Sequence, residues 1–151
     1  MRYLIVIIFC SYSISMLGQE HAQRTVVFNL EKGVAIQGYD PVAYFDQQAQ
    51  KGKKKYAVTH QGVTYHFASK ANQVKFQENP AHYEPQYGGW CAYAMGLNGE
   101  KVKVNPKTFK IVEDKLYLFY NAFFNNTLEP WNEDEANLKL MADKNWGAIV
   151  N

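Results

Sequence analysis

The chain has 151 residues, of which 47% are hydrophobic and 15% aromatic, and its formal net charge is +2. That aromatic content excludes a disordered polar chain, and the near-balanced charge excludes binding to nucleic acid by bulk electrostatics. The length suits one domain with a real core once a leader is set aside.

Arg2, the apolar run Tyr3 to Cys10, and the small and polar residues up to Gly18 have the order of a secretory signal peptide, assigned to residues 1–19. The run is shorter than the roughly 20 apolar residues of a membrane-spanning helix. No later segment is apolar enough to cross a membrane. The expected location is therefore periplasmic or secreted, with no stable membrane insertion after cleavage. Phe9 before Cys10 argues against lipid attachment, which favours a small residue at that place. Residues 20–31 are predicted to be a polar tail, with Val26-Val27-Phe28 as a short strand, and residues 32–151 to form the domain.

Within that domain, Gly38-Tyr39-Asp40-Pro41 predicts a turn, because proline pushes the preceding residue toward an extended conformation. Tyr56 to Thr59 and Val63 to Phe67 flank His60-Gln61-Gly62 and predict a hairpin around a three-residue loop. Alternation puts Tyr65 and Phe67 on one face and His66 on the other. Ser69 is placed to cap a helix over 70–78 with Ala71 and Val74 inward, and Asn79-Pro80 to end it. Trp90 to Met95 predicts a short helix closed by Gly96. Phe109 to Val112 and Leu116 to Tyr120 predict a second hairpin around Glu113-Asp114, its second strand covered on both sides. Asn132 and Glu135 form a capping-box pattern for a C-terminal helix with Leu138, Met141, Ala142 and Trp146 inward. The expected fold is a small α+β single domain with two β-hairpins, short helices and a C-terminal helix.

Without its leader the chain keeps one cysteine, Cys91. An exported thiol with no partner in its own chain is a core residue, a reactive group, a metal ligand or half of an intermolecular disulfide. Its place at a predicted helix start favours the thiolate. Met95, four residues on, adds a second soft sulfur, a pair suited to Cu(I). His66 on its strand and Asp40 in its turn are the other candidate ligands, while core packing and an Asx turn are their bland alternatives. No CxxC, HExxH, GxSxG, P-loop or GxGxxG occurs, and no catalytic residue is assigned.

Gly38-Tyr39-Asp40-Pro41-Val42-Ala43-Tyr44-Phe45, Tyr65-His66-Phe67-Ala68-Ser69, Phe76 to Tyr83, Tyr87-Gly88-Gly89-Trp90-Cys91-Ala92 and Leu116 to Asn121 together resemble the exported bacterial YHS-domain proteins. The resemblance runs from about Lys32 to Asn121. It implies a module related to heavy-metal-associated domains, found beside copper and other metal-handling proteins. Relatives that bind metal usually carry cysteines where this chain has Ala43 and Ala68, so that site does not carry over. A metal site here has to be rebuilt from Cys91, Asp40, His66 and Met95. The expected function is metal binding for sequestration, delivery or sensing, with copper as the ion and zinc or iron as alternatives. The expected partners are the ion and a metal-handling protein, not nucleic acid. Two other readings stay open: a thiol-based redox protein or enzyme using Cys91, and a ligand or protein-interaction module built on Tyr39, Tyr44, Tyr87 and Tyr93.

Overall fold

The computed structural model describes residues 22–151, so the leader and Cys10 lie outside the described residues. It shows a small α+β domain ending in a long helix. Residues 22–27 form a helix, α1, where the sequence predicted a tail running into a strand. Tertiary contacts override the β-propensity of Val26 and Val27. The Arg24 guanidinium bonds to Gln61 and Glu84, the Trp90 indole donates to the Val27 carbonyl at 2.7 Å, and Phe28 packs on Trp146.

The first sheet has strand order β1-β2-β4-β3, with β1 Leu30–Glu31, β2 Val34–Ala35, β3 Lys53–His60 and β4 Val63–Phe67. β2 runs parallel to β4, and β3 and β4 form the first predicted hairpin. His60 pairs with Val63, so the connection is the two-residue turn Gln61-Gly62 rather than a three-residue loop. Both turn residues have positive φ, as a tight hairpin with native twist requires. Val63, Tyr65 and Phe67 are buried and His66 is on the opposite face, as alternation predicted.

Helix α2, Lys70–Glu78, starts at Ser69, whose hydroxyl accepts from the Asn72 amide. Its inward residues are Gln73 and Phe76; Val74 is 40% exposed and Ala71 is exposed too. Phe76 packs against Tyr65 and Phe67 at ring distances of 4.8 and 5.0 Å. Gln73 is buried because its amide donates to the Ala57 carbonyl and accepts from Lys70. Pro80 opens the short helix α3, Pro80–Tyr83.

Helix α4 is Ala92–Asn98, so it neither includes Cys91 nor stops at Gly96. Gly99, at φ 77°, is the left-handed residue that ends it. Gly96 instead lets α4 meet α6, Glu135–Val150: a Cβ there would lie 2.5 Å from the Leu138 carbonyl oxygen. α5, Leu128–Glu133, contains Asn132, which therefore caps nothing, and Asp134 precedes α6. The Asn132 and Glu135 side chains both take the Lys110 ammonium instead. Ala142 is buried, and Leu138 and Trp146 pack inward, while Met141 is 41% exposed and lies off the predicted stripe.

β5, Asn105–Val112, and β6, Lys115–Phe119, form the second predicted hairpin around Glu113-Asp114. β6 is covered on both faces. Leu116 and Leu118 join a first core with Tyr44, Tyr65, Phe67 and Phe76. Tyr117 and Phe119 join a second with Trp131, Met95 and Ala142. Among the described residues, no helix is long and apolar enough to cross a membrane.

A third hairpin pairs β7, Asn121–Ala122, with β8, Asn125–Asn126. Its turn is Phe123-Phe124, both at positive φ and both almost wholly exposed. Bulky side chains in that region cost about 1–2 kcal/mol per residue, and the turn prefers Asn-Gly. The double substitution Phe123→Asn/Phe124→Gly is expected to raise stability by about 1–2 kcal/mol, read as a higher denaturant midpoint. A lower midpoint would mean that the two rings make contacts that hold the fold.

Candidate metal centre

The four predicted ligands go to different environments. Asp40 is fully buried, and its carboxylate is already engaged. One oxygen accepts from the amides of Val42 and Ala43 at 2.9 and 3.3 Å. The other accepts from the Ala68 amide and the Asn72 side chain, both at 2.7 Å. These bonds tie the Asp-Pro turn to the start of α2. They pass through the amides of Ala43 and Ala68, the two positions where metal-binding relatives would carry thiols.

Cys91 is buried in the extended residue just before α4. Because it is not inside the helix, the four-residue spacing to Met95 does not put the two sulfurs on one helix face. Cys91 packs into the first core and Met95 into the second, on either side of β6. The Cys91 amide donates to the Val102 carbonyl at 2.9 Å and its sulfur accepts from the Tyr120 amide at 3.3 Å. Thr127 Oγ1 lies 3.3 Å from the sulfur and donates to the Tyr120 carbonyl at 2.9 Å. As a thiol, Cys91 therefore donates to Thr127. As a thiolate it would accept from the Tyr120 amide and from a Thr127 hydroxyl turned toward it.

Cys91, itself fully buried, borders a cleft of about 250 Å³ that is also lined by Tyr93, Leu97, Tyr120, Asn125 and Thr127. The sequence offered no sign of this cleft, because Thr127 and Asn125 come from the third hairpin region, more than thirty residues downstream.

His66 is half-buried over Gly38 and Gly52, remote in role from Cys91. Partial burial, then the ammonium groups of Lys54 and Lys51, lower its pKa, which favours the neutral imidazole at pH 7. Among the described residues, no three His, Cys, Asp or Glu side chains are grouped to hold a metal ion, so Asp40, His66 and Cys91 do not converge. The residues present supply one buried soft donor beside a cleft, not a closed cage.

Two of the four tyrosines are not surface residues. Tyr44 and Tyr87 are buried, their hydroxyls donating to the Pro106 carbonyl at 2.7 Å and to Asp143 at 2.9 Å, and burial raises the pKa of both. Of the four, Tyr93 alone lines the cleft.

No curated protein and no solved structure matches the chain. A family model matches residues 42–87, a shorter stretch than the sequence resemblance, and of the four predicted ligands it includes only His66. That stretch matches the YHS domain, a module associated with metal handling.

Proposed function

We propose that the chain is an exported YHS module, periplasmic or secreted, that passes a soft metal ion, copper as Cu(I), to or from a metal-handling protein. Cys91 is the anchoring donor in this reading. The observation that carries it is that Cys91, though fully buried, borders a cleft, and that its sulfur accepts from the Tyr120 amide with the Thr127 hydroxyl 3.3 Å away. Copper would supply affinity for that thiolate, and the incoming carrier would supply the other ligands. A site with one protein donor suits delivery better than sequestration. The cleft mouth also suits docking: Leu97 is 60% exposed, and Asn125 belongs to the hairpin that carries Phe123 and Phe124. A thiol-redox role is less well supported, since no second cysteine lies among the described residues to resolve a disulfide.

The test is competition for Cu(I) against a chromophoric chelator under anaerobic conditions. The wild-type chain is expected to take one Cu(I), and Cys91→Ser to take none while keeping the wild-type circular dichroism. Equal uptake by the two proteins would remove Cys91 from the site.

A further inference from the structure

A second cleft, of about 640 Å³, opens on the far side of β4 from the first core. Glu31, Lys32, Lys51, Lys54 and His66 line it, together with the bare backbone of Gly38 and Gly52. Three ammonium groups against one carboxylate leave it net positive even with the His66 imidazole neutral.

Lys51 and His66 are placed rather than merely present. A Cβ on Gly38 would lie 3.3 Å from Nδ1 of His66 and 4.0 Å from Nζ of Lys51, so the ring and the ammonium converge over that glycine. Lys51 is held there by its bond to the Gln37 carbonyl and by the Tyr39 ring, 4.9 Å away. The backbone that enters the cleft wall is also strained. Ile36, Gln37 and Gly38 are successive residues at positive φ, and Ile36 is β-branched, the residue class least tolerant of that region. Gly52 approaches the His66 backbone so closely that a Cβ would lie 2.4 Å from its carbonyl carbon. Strain of this kind persists only where surrounding structure holds it, and it clusters at sites that bind. Among the described residues, the side chains of Lys32, Lys54 and His66 make no hydrogen bond within the protein, which leaves their donors for a ligand.

We infer that this cleft binds a phosphate-type oxyanion, with Lys51 and Lys54 as charge donors and His66 as a hydrogen-bond partner. A phosphate presents several acceptor oxygens to donors arriving from different directions, which matches ammoniums and an imidazole from two segments of chain. The same chemistry occurs on a soluble phosphate and on a phospholipid headgroup. The site is separate from Cys91, so its fate is independent of the copper reading.

The experiment titrates the purified, isotope-labelled chain with inorganic phosphate at low ionic strength and follows amide and imidazole resonances. Saturable shifts at Gly38, Gly52 and His66 are expected, with chloride at equal ionic strength producing none. Lys54→Glu and Lys51→Ala/Lys54→Ala are expected to weaken binding by about tenfold each, because each removed or reversed exposed ion pair contributes modestly. Lys54 makes no internal hydrogen bond, so its variant keeps the fold. In a second arm, vesicles of phosphatidylglycerol are compared with phosphatidylcholine. Binding to the anionic vesicles alone, lost in the lysine variants, supports the same cleft with a lipid source. Shifts that do not saturate, or that persist unchanged in both variants, together with no variant-sensitive vesicle binding, overturn the inference.

Discussion

Asp40→Ala is expected to destabilise the protein by about 3–5 kcal/mol, since it strands several buried donors at once. Four groups lose their acceptor: three backbone amides and the Asn72 side chain. The Val42 and Ala43 amides cannot turn to water without opening the turn, because Asp40, Val42 and Ala43 are all buried, whereas Ala68 and Asn72 are half-buried. Asp40→Asn keeps the shape and one acceptor oxygen, and is expected to cost about half as much, since its amide meets donors with a donor. Chemical denaturation followed by tryptophan fluorescence measures both. A loss below about 1 kcal/mol for alanine, the net worth of one ordinary hydrogen bond, would mean that the carboxylate does not hold the turn to α2. The experiment also bears on metal binding: a carboxylate spent on structure cannot be lent to an ion without the same loss.

The second large effect sets two helical glycines against each other. Alanine is the better helix former by about 1 kcal/mol, so propensity alone predicts that Gly96→Ala and Gly147→Ala both stabilise. At Gly147 the nearest atom to a new Cβ is the Asn151 side-chain nitrogen at 3.9 Å, and stabilisation of up to about 1 kcal/mol is expected. At Gly96 the new methyl would meet the Leu138 backbone at 2.5 Å from its oxygen and 3.1 Å from its Cα. Backbone on both sides cannot swing aside as a side chain can. The helices would have to part, straining the Asn145 bond to the Met95 carbonyl and the packing around Met95 and Ala142. A loss of about 2–4 kcal/mol is expected, overpacking outweighing propensity. Thermal or denaturant unfolding of the two variants should therefore shift in opposite directions. A shared direction would show that α4 and α6 are not in tight contact at Gly96.

These two glycines also show what a sequence can and cannot disclose. Hairpins were legible because turn chemistry and alternation are local: Gln61-Gly62 and Glu113-Asp114 fall between alternating runs. Ser69 was legible as a cap for the same reason. Gly96 misled, because a glycine ending a helix and a glycine admitting another helix have the same local pattern. Gln73 was missed on the buried face of α2 since hydrophobicity does not reveal an amide satisfied by the Ala57 carbonyl. The helix at 22–27 depends on Glu84, Gln61 and Trp90, all far along the chain. The candidate site was legible residue by residue and not as an arrangement. Burial of Asp40 and Cys91 follows from packing between separate segments, and so does the separation of Cys91 from Met95.

β6 has a consequence for cooperativity. One strand supplies Leu116 and Leu118 to the first core and Tyr117 and Phe119 to the second. Residues 42–87, the stretch that matches the family, contribute most of the first core's aromatic rings but not the strand that closes it. Excised, that segment would leave Tyr44, Phe67 and Phe76 facing water where Leu116 and Leu118 had been. The matched stretch is thus smaller than the unit of folding. Neither core can open without pulling a wall from the other, which couples their unfolding into one transition.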